Sequence, residues 1–436
     1  MLGHHLTAVG NTVRAVDQWL KAGQFAAARL AHREAIRHFD RGLALVGSLP
    51  DGSTRDGRET ELQLARGLSL FTTEGFISKA AAQAYTRARG LAERRKDDRQ
   101  VVVAIYGQWQ GVTGAANVSS MSSLSRQLLE LTADVADHGL RLQAHHSAWT
   151  TCLFGGEPAT GLGEAGRGLY DPDEHRSHRL LFGGHDPGVC AFQIGSQVEW
   201  VLGYPDKALA SGNEAVCLAE RIAHPLSLEL ALTFKGILHL DRGDPDLALG
   251  QFATMEALAA EQRLGFVYSP GVMRGAALLM QGAVRDAIAV LREALDTPLG
   301  QALSRPLGLA ALARALSLQG EQAAAVALIG DAMATMEATG HRQLEPEFHR
   351  LKGMALLGQN ELAESQSAFE AAIRIARRRQ MKAYELRAAV NLARLWGERG
   401  QCAEAHALLA PIYDWFTEGF DTADLKEAAA LLSELA

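Results

Sequence analysis

Gly236-Ile237-Leu238-His239-Leu240-Asp241-Arg242-Gly243-Asp244-Pro245-Asp246-Leu247-Ala248-Leu249-Gly250-Gln251-Phe252 is the stretch whose reading decides the fold. Gly243 can take the left-handed backbone that ends one helix, and Ala248 and Phe252 share one face of the next. The same register recurs along the chain. Gly203, Gly243, Gly282 and Gly320 are separated by 40, 39 and 38 residues, and Asn360 and Gly400 continue the series. Five residues after each comes a small side chain: Ala208, Ala248, Ala287, Ala325, Ser365 and Ala405. Twelve residues after come Ala215, Met255, Ala294, Ala332, Ala372 and Ile412. Positions seven apart lie two turns apart on one helical face, so small side chains there let two antiparallel helices approach closely. No window alternates with the period of a half-buried strand. The pattern predicts an all-α chain of about ten helical hairpins with a period near 40 residues.

The composition agrees with a folded, soluble array. With 436 residues the chain exceeds a usual single core, while 47% hydrophobic and 21% charged residues exclude disorder. No apolar run is long enough to span a bilayer and residues 1–10 do not form a signal peptide, so the expected location is the cytoplasm, with no membrane partner. Cys152, Cys190, Cys217 and Cys402 show no C-x-x-C spacing and read as reduced thiols. A net charge of -7 gives no general attraction for nucleic acid.

Two regions depart from the register. Residues 1–47 read as short helical hairpins (Leu2 to Val9, Val13 to Ala22, Gln24 to Ala31, Arg33 to Val46), followed by a loop around Pro50-Asp51-Gly52. They have no polar capping helix before them, which predicts a neighbouring domain covering their apolar face. The array itself is expected over 54–436 and closes with a capping helix at 422–436, whose first residues include Thr422 and Asp424. An insertion at 170–190 lengthens one inter-glycine distance to 47 residues. Insertions in solenoids commonly project as loops that carry binding residues. Tyr170, Asp171, His175, Arg176, His185 and Asp186 are therefore the candidate ligand or partner contacts.

The repeat resembles the tetratricopeptide repeat. Gly236, Gly243, Ala248 and Phe252 match its small, turn-glycine, alanine and aromatic positions, as do Gly353, Ser365, Phe369 and Ala372. The longer period marks a long-helix variant. The resemblance implies a right-handed superhelix whose concave surface, lined by the first helix of each pair, binds a peptide or protein. Further strings are similar to the C-terminal repeat region of bacterial proteins that join a class III adenylate or guanylate cyclase to a signal-transduction NTPase. Among them are Trp19-Leu20-Lys21-Ala22-Gly23, Leu202-Gly203-Tyr204-Pro205-Asp206 and Trp415-Phe416-Thr417-Glu418-Gly419-Phe420-Asp421-Thr422. That resemblance implies a regulatory arm with an NTPase or cyclase domain as partner.

Chemistry of its own is not expected. There is no Gly-x-x-x-x-Gly-Lys-[Ser/Thr] loop, and Gly161-Leu162-Gly163-Glu164-Ala165-Gly166 lacks the strand and helix that make such a motif bind a dinucleotide. His175, His178, His185, Asp171, Asp186 and Cys190 fall within twenty residues, but their spacing fits no zinc finger and Arg176 and Arg179 offer the carboxylates simpler partners. His145 and His146 are adjacent on a helix and cannot chelate one ion together. The basic run Arg374, Arg377, Arg378, Arg379 and Lys382 reads as a solvated helix end. The expectation is a non-catalytic scaffold with no cofactor or metal. Two rival readings are the effector-sensing arm of an ATP-dependent transcription activator, which a C-terminal helix-turn-helix would follow, and an enzyme built on the insertion.

Overall fold

A computed structural model describes residues 2–160, 168–175, 178 and 181–436. Among them are 21 helices and no strand. The first half holds α1 (Leu2–Ala8), α2 (Thr12–Ala28), α3 (His32–Val46), α4 (Ser53–Glu74), α5 (Lys79–Arg95), α6 (Asp98–Gly114), α7 (Val118–Thr132) and α8 (His138–Gly155). After the insertion come α9 (Pro187–Val201), α10 (Pro205–Arg221), α11 (Pro225–Arg242), α12 (Pro245–Gln262), α13 (Pro270–Met280) and α14 (Val284–Leu295). The chain ends with α15 (Arg305–Leu318), α16 (Gln322–Thr339), α17 (Glu345–Gly358), α18 (Leu362–Arg378), α19 (Lys382–Glu398), α20 (Cys402–Tyr413) and α21 (Ala423–Leu435). No helix among the described residues is long and apolar enough to cross a membrane.

Helix length is set by left-handed residues that recur twice as often as the glycines. Positive φ occurs at Gly203, Ala223, Gly243, Arg263 and Gly282, and again at Gly320, Gly340, Asn360, Gln380 and Gly400. Each step is about twenty residues, so each marks one helix end and not one hairpin. Proline takes the first helical position two residues later at Pro205, Pro225 and Pro245, where its missing N–H costs nothing. Ala223, Arg263 and Gln380 hold a conformation that disfavours any Cβ, which explains why a search for glycines finds only alternate turns.

Packing within hairpins follows the small positions. Ala208, Ala248, Ala287, Ala325, Ser365 and Ala405 have no exposed surface at all. Phe252 and Phe369, also buried, lie against Gly236 and Gly353, where an added Cβ would come within 2.2 and 2.5 Å of the rings. Gly23 and Phe39 form the same pair, again at 2.2 Å. The expected break between Val13–Ala22 and Gln24–Ala31 is therefore absent: Gly23 sits inside one continuous α2, as a seat for Phe39. Leu30, with φ 62°, occupies the turn-glycine position of this unit, so the repeat register runs through α2 and α3.

First helices of successive hairpins pack on one another and form the inner wall, while second helices bury a narrow stripe. In α12 only Ala248, Phe252, Met255 and Ala259 are buried. The superhelix returns on itself after about five hairpins. Arg379 donates to the carbonyls of Gly155 and Gly156, 224 and 223 residues away, at 2.9 and 3.0 Å. Glu418 Oε1 accepts the N–H groups of Asp206 and Lys207 at the start of α10, both at 3.0 Å. The Gly265 N–H donates to the Thr72 carbonyl at 3.0 Å, and Arg242 bonds Asp421 at 3.2 Å. The basic run is thus only partly solvated, because Arg379 staples two turns together.

The turn glycines consequently do two jobs. A Cβ on Gly282 meets nothing within 4 Å, whereas on Gly243 it would lie 2.5 Å from Ala423 Cβ. Gly282→Ala should cost about 1 kcal/mol of backbone strain alone. Gly243→Ala should cost roughly 2 to 5 kcal/mol, because steric overlap between superhelical turns adds to the strain. Urea unfolding of the two variants checks the difference, and equal costs would contradict this account of the turn contact.

Candidate functional site

The described part of the insertion turns inward. Asp171 is exposed, its Oδ1 accepting the N–H groups of Asp173 and Glu174 at 2.8 and 3.0 Å, which lower its pKa. Tyr170 stacks on His175 with ring centroids 6.0 Å apart and packs over Gly188. His175, His178, His185 and Asp186 are all buried. Asp186 caps α9, accepting from the N–H groups of Gly188 and Val189 at 2.9 and 3.2 Å, while its own N–H donates to Ser227 Oγ at 2.8 Å. Arg176, Arg179 and residues 161–167, with the glycine motif, lie outside the described residues. Of the described expected contacts, Asp171 alone faces solvent fully; Tyr170, His175, His185 and Asp186 join core to core.

His185 ends inside the lumen of the first superhelical turn. This space of about 40 Å³ is walled by α6, α8, α9 and α11, and its lining includes Trp109, His146, Cys190, Gln193, Phe234 and Tyr268. His185 Nε2 stands 3.2 Å from His146 Nε2. The other ring nitrogens are held from behind: His146 Nδ1 lies 2.8 Å from the Tyr106 hydroxyl and 3.2 Å from Gln143 Oε1, and His185 Nδ1 lies 3.4 Å from the Gly183 carbonyl. Burial keeps both imidazoles neutral, lowering His185 to about 4 and His146, with His185 beside it, well below its ordinary value. Burial likewise pushes the Cys190 thiol up to about 12.

The second turn encloses a different lumen, about 320 Å³, lined by α11, α13, α15, α17, α19 and α21. Here the walls are charged. Arg350 makes a two-pronged pair with Glu347 at 2.6 and 2.8 Å and also donates to Asn391 at 2.8 Å. Arg387 bonds Asp424 at 2.7 Å and approaches Asp241 at 3.7 Å, and Arg394 bonds Glu427 at 2.8 Å. Burial alone would raise Glu347, but Arg350, Arg387 and Arg314 outweigh it and hold the carboxyl at about 2. Asp241 moves oppositely: burial, helped by Asp424 and Glu347 and opposed by Arg387, raises it to about 7. Arg314 is the exception among the lining charges, having no hydrogen bond or ion pair with the described residues. Its head is accessible to solvent yet crowded by the walls, and that crowding, with Arg350 nearby, lowers its basicity.

Both lumens are built from positions about one repeat apart, which adjacency in sequence conceals. Tyr106 and His146 are 40 residues apart, His146 and His185 39, Thr150 and Cys190 40, and Arg350 and Asn391 41. Comparing polar residues at the repeat period, not in local clusters, is the signal that would have paired His146 with His185.

The Glu347–Arg350 pair is mostly buried, so removing one member strands a charge. Arg350→Met should cost about 3 kcal/mol or more, and adding Glu347→Gln should recover at least about 1 kcal/mol of it. A double-mutant cycle by urea unfolding checks this; strictly additive costs would mean that the two side chains act independently.

No family model matches the chain. It is 25% identical over 366 residues to an uncharacterized protein of Rhizobium meliloti, covering 81% of this chain and 35% of that protein. The chain thus spans about a third of the length of the curated relative it matches. The crystal structure of the APC/C hetero-tetramer Cut9-Hcn1 aligns with 99% of this chain and 74% of its own, at a TM-score of 0.53 and 13% identity. That likeness is one of fold: this chain is a tetratricopeptide-like helical-repeat superhelix.

Proposed function

We propose that this chain is a non-catalytic binding scaffold whose charged lumen takes an extended segment of a protein partner, seated by an acidic group on Arg314. The observation that carries this reading is the unpaired Arg314 in a cavity where every other lining charge has an opposite partner. A guanidinium offers a planar fork of donors suited to a carboxylate, worth roughly 1.5 to 3 kcal/mol when the pair is shielded from bulk water. The complex named for Cut9 and Hcn1 supports a protein as the partner class. In the same reading the scaffold is the regulatory arm of a longer signalling protein, with an NTPase or cyclase domain as neighbour. The resemblance of its strings and the greater length of its relative support that placement. Leu2 on α1, Val9 in the turn after it and Val13 at the start of α2 stand exposed, where such a neighbour would sit.

A peptide library displayed against the whole chain tests the lumen. Selected ligands should be enriched in an acidic residue or depend on a free C-terminal carboxylate, and Arg314→Gln should weaken them roughly tenfold or more. Because Asp241 is neutral below about 7 and anionic above it, affinity for an acidic ligand should rise as the pH falls from 8 to 6. Asp241→Asn should remove that pH dependence. Ligands whose affinity ignores both substitutions would place the binding surface elsewhere.

A further inference from the structure

In the first-turn lumen, His146, His185 and Cys190 bring three ligand atoms within 4.8 Å of one another, all buried. His146 comes from α8, His185 from the end of the insertion and Cys190 from the first turn of α9. We propose that they form a mononuclear site for a thiophilic d10 metal ion, zinc or cuprous copper.

Geometry supplies the first argument. Two imidazole nitrogens bound at about 2.0 to 2.1 Å to a tetrahedral ion stand about 3.3 Å apart. The two Nε2 atoms here stand 3.2 Å apart. Bringing the Cys190 sulfur to a bond of about 2.3 Å needs a shift on the order of 1 Å, which a side-chain rotation in the adjoining cavity allows.

The surroundings supply the second. A histidine ligand ordinarily donates its other ring N–H to a fixed acceptor. Gln143 Oε1 and the Tyr106 oxygen stand at His146 Nδ1, and the Gly183 carbonyl at His185 Nδ1. Without metal, a proton on one Nε2 bridges the pair. Binding shifts that proton to the Nδ1 of the same ring, which frees both Nε2 lone pairs for the ion, and Cys190 gives its proton to solvent as it becomes the thiolate, so two imidazoles stay neutral and one negative charge offsets the metal.

A third observation is independent of these residues. Gln193, one helical turn after Cys190, lines the same cavity and is 3% exposed, and its Oε1 has no partner among the described residues. Together with a water molecule it can complete the coordination shell. The site would join α8, the insertion and α9, fixing the insertion to the wall of the superhelix.

The test uses the full chain carrying Cys217→Ser and Cys402→Ser, which removes the two exposed thiols. Metal-free protein is titrated separately with zinc and cuprous copper, and retained metal is measured after gel filtration. Cobalt(II) serves as the optical probe. Expected are one equivalent of zinc or of copper, and a sulfur-to-cobalt charge-transfer band with tetrahedral ligand-field bands. The charge-transfer band reports thiolate ligation without any change at the site. Cys190→Ser should abolish it and weaken retention at least roughly tenfold. Retention of only one ion assigns the site to that ion. Absence of retained metal and of the cobalt band overturns the proposal, as does an unchanged band in Cys190→Ser.

Discussion

A left-handed residue at the end of most helices, commonly about twenty residues after the last, is the constraint on which the rest of this structure depends. It fixes helix length, and fixed length makes each hairpin about forty residues. Side chains one hairpin apart then meet on neighbouring first helices, while fully buried alanines keep paired helices close enough for those rows to interlock. The tolerance of this device is notable at Ala223, Arg263 and Gln380, each of which bears a strain of about 1 to 2 kcal/mol that glycine would avoid.

The same wall-building rule produces two unlike interiors. In the first turn the inward residues are aromatic rings, imidazoles and a thiol, and the lumen is nearly filled. In the second they are arginines and carboxylates around a cavity several times larger. Buried ion pairs add little net stability over apolar packing, so in the function proposed above their role is to specify what can enter the lumen. Glu347 and Asp241 show how finely position matters: the first is held ionised by arginines around it, the second is raised to about 7 by burial despite Arg387.

Fold class and period were legible because they follow from local backbone chemistry and from small residues at fixed offsets, while the inner position of the first helices came from the resemblance to the tetratricopeptide repeat. The register of α2 and α3 was hidden because Leu30 replaces the turn glycine and Gly23 mimics a helix break. The insertion carried a misleading signal. Histidines and aspartates crowded in sequence suggest a surface site, yet Asp186 is spent on capping α9 and His175 and His178 are buried. Arg314, by contrast, has no local signature; it stands out only once the partners of Arg350, Arg387 and Arg394 are known.

Contacts between successive turns have a consequence for how the chain assembles. A solenoid whose units touch only their immediate neighbours behaves as a one-dimensional chain that can nucleate and fray anywhere. Here Arg379, Glu418 and Gly265 join segments about two hundred residues apart. Closing such loops must precede the reward of those bonds, which slows folding, while the native array melts in larger cooperative blocks than its repeats alone would dictate. In the proposed function, a ligand that wedged the second turn open would work against a coil whose successive turns are bonded together, and so would load the first turn as well.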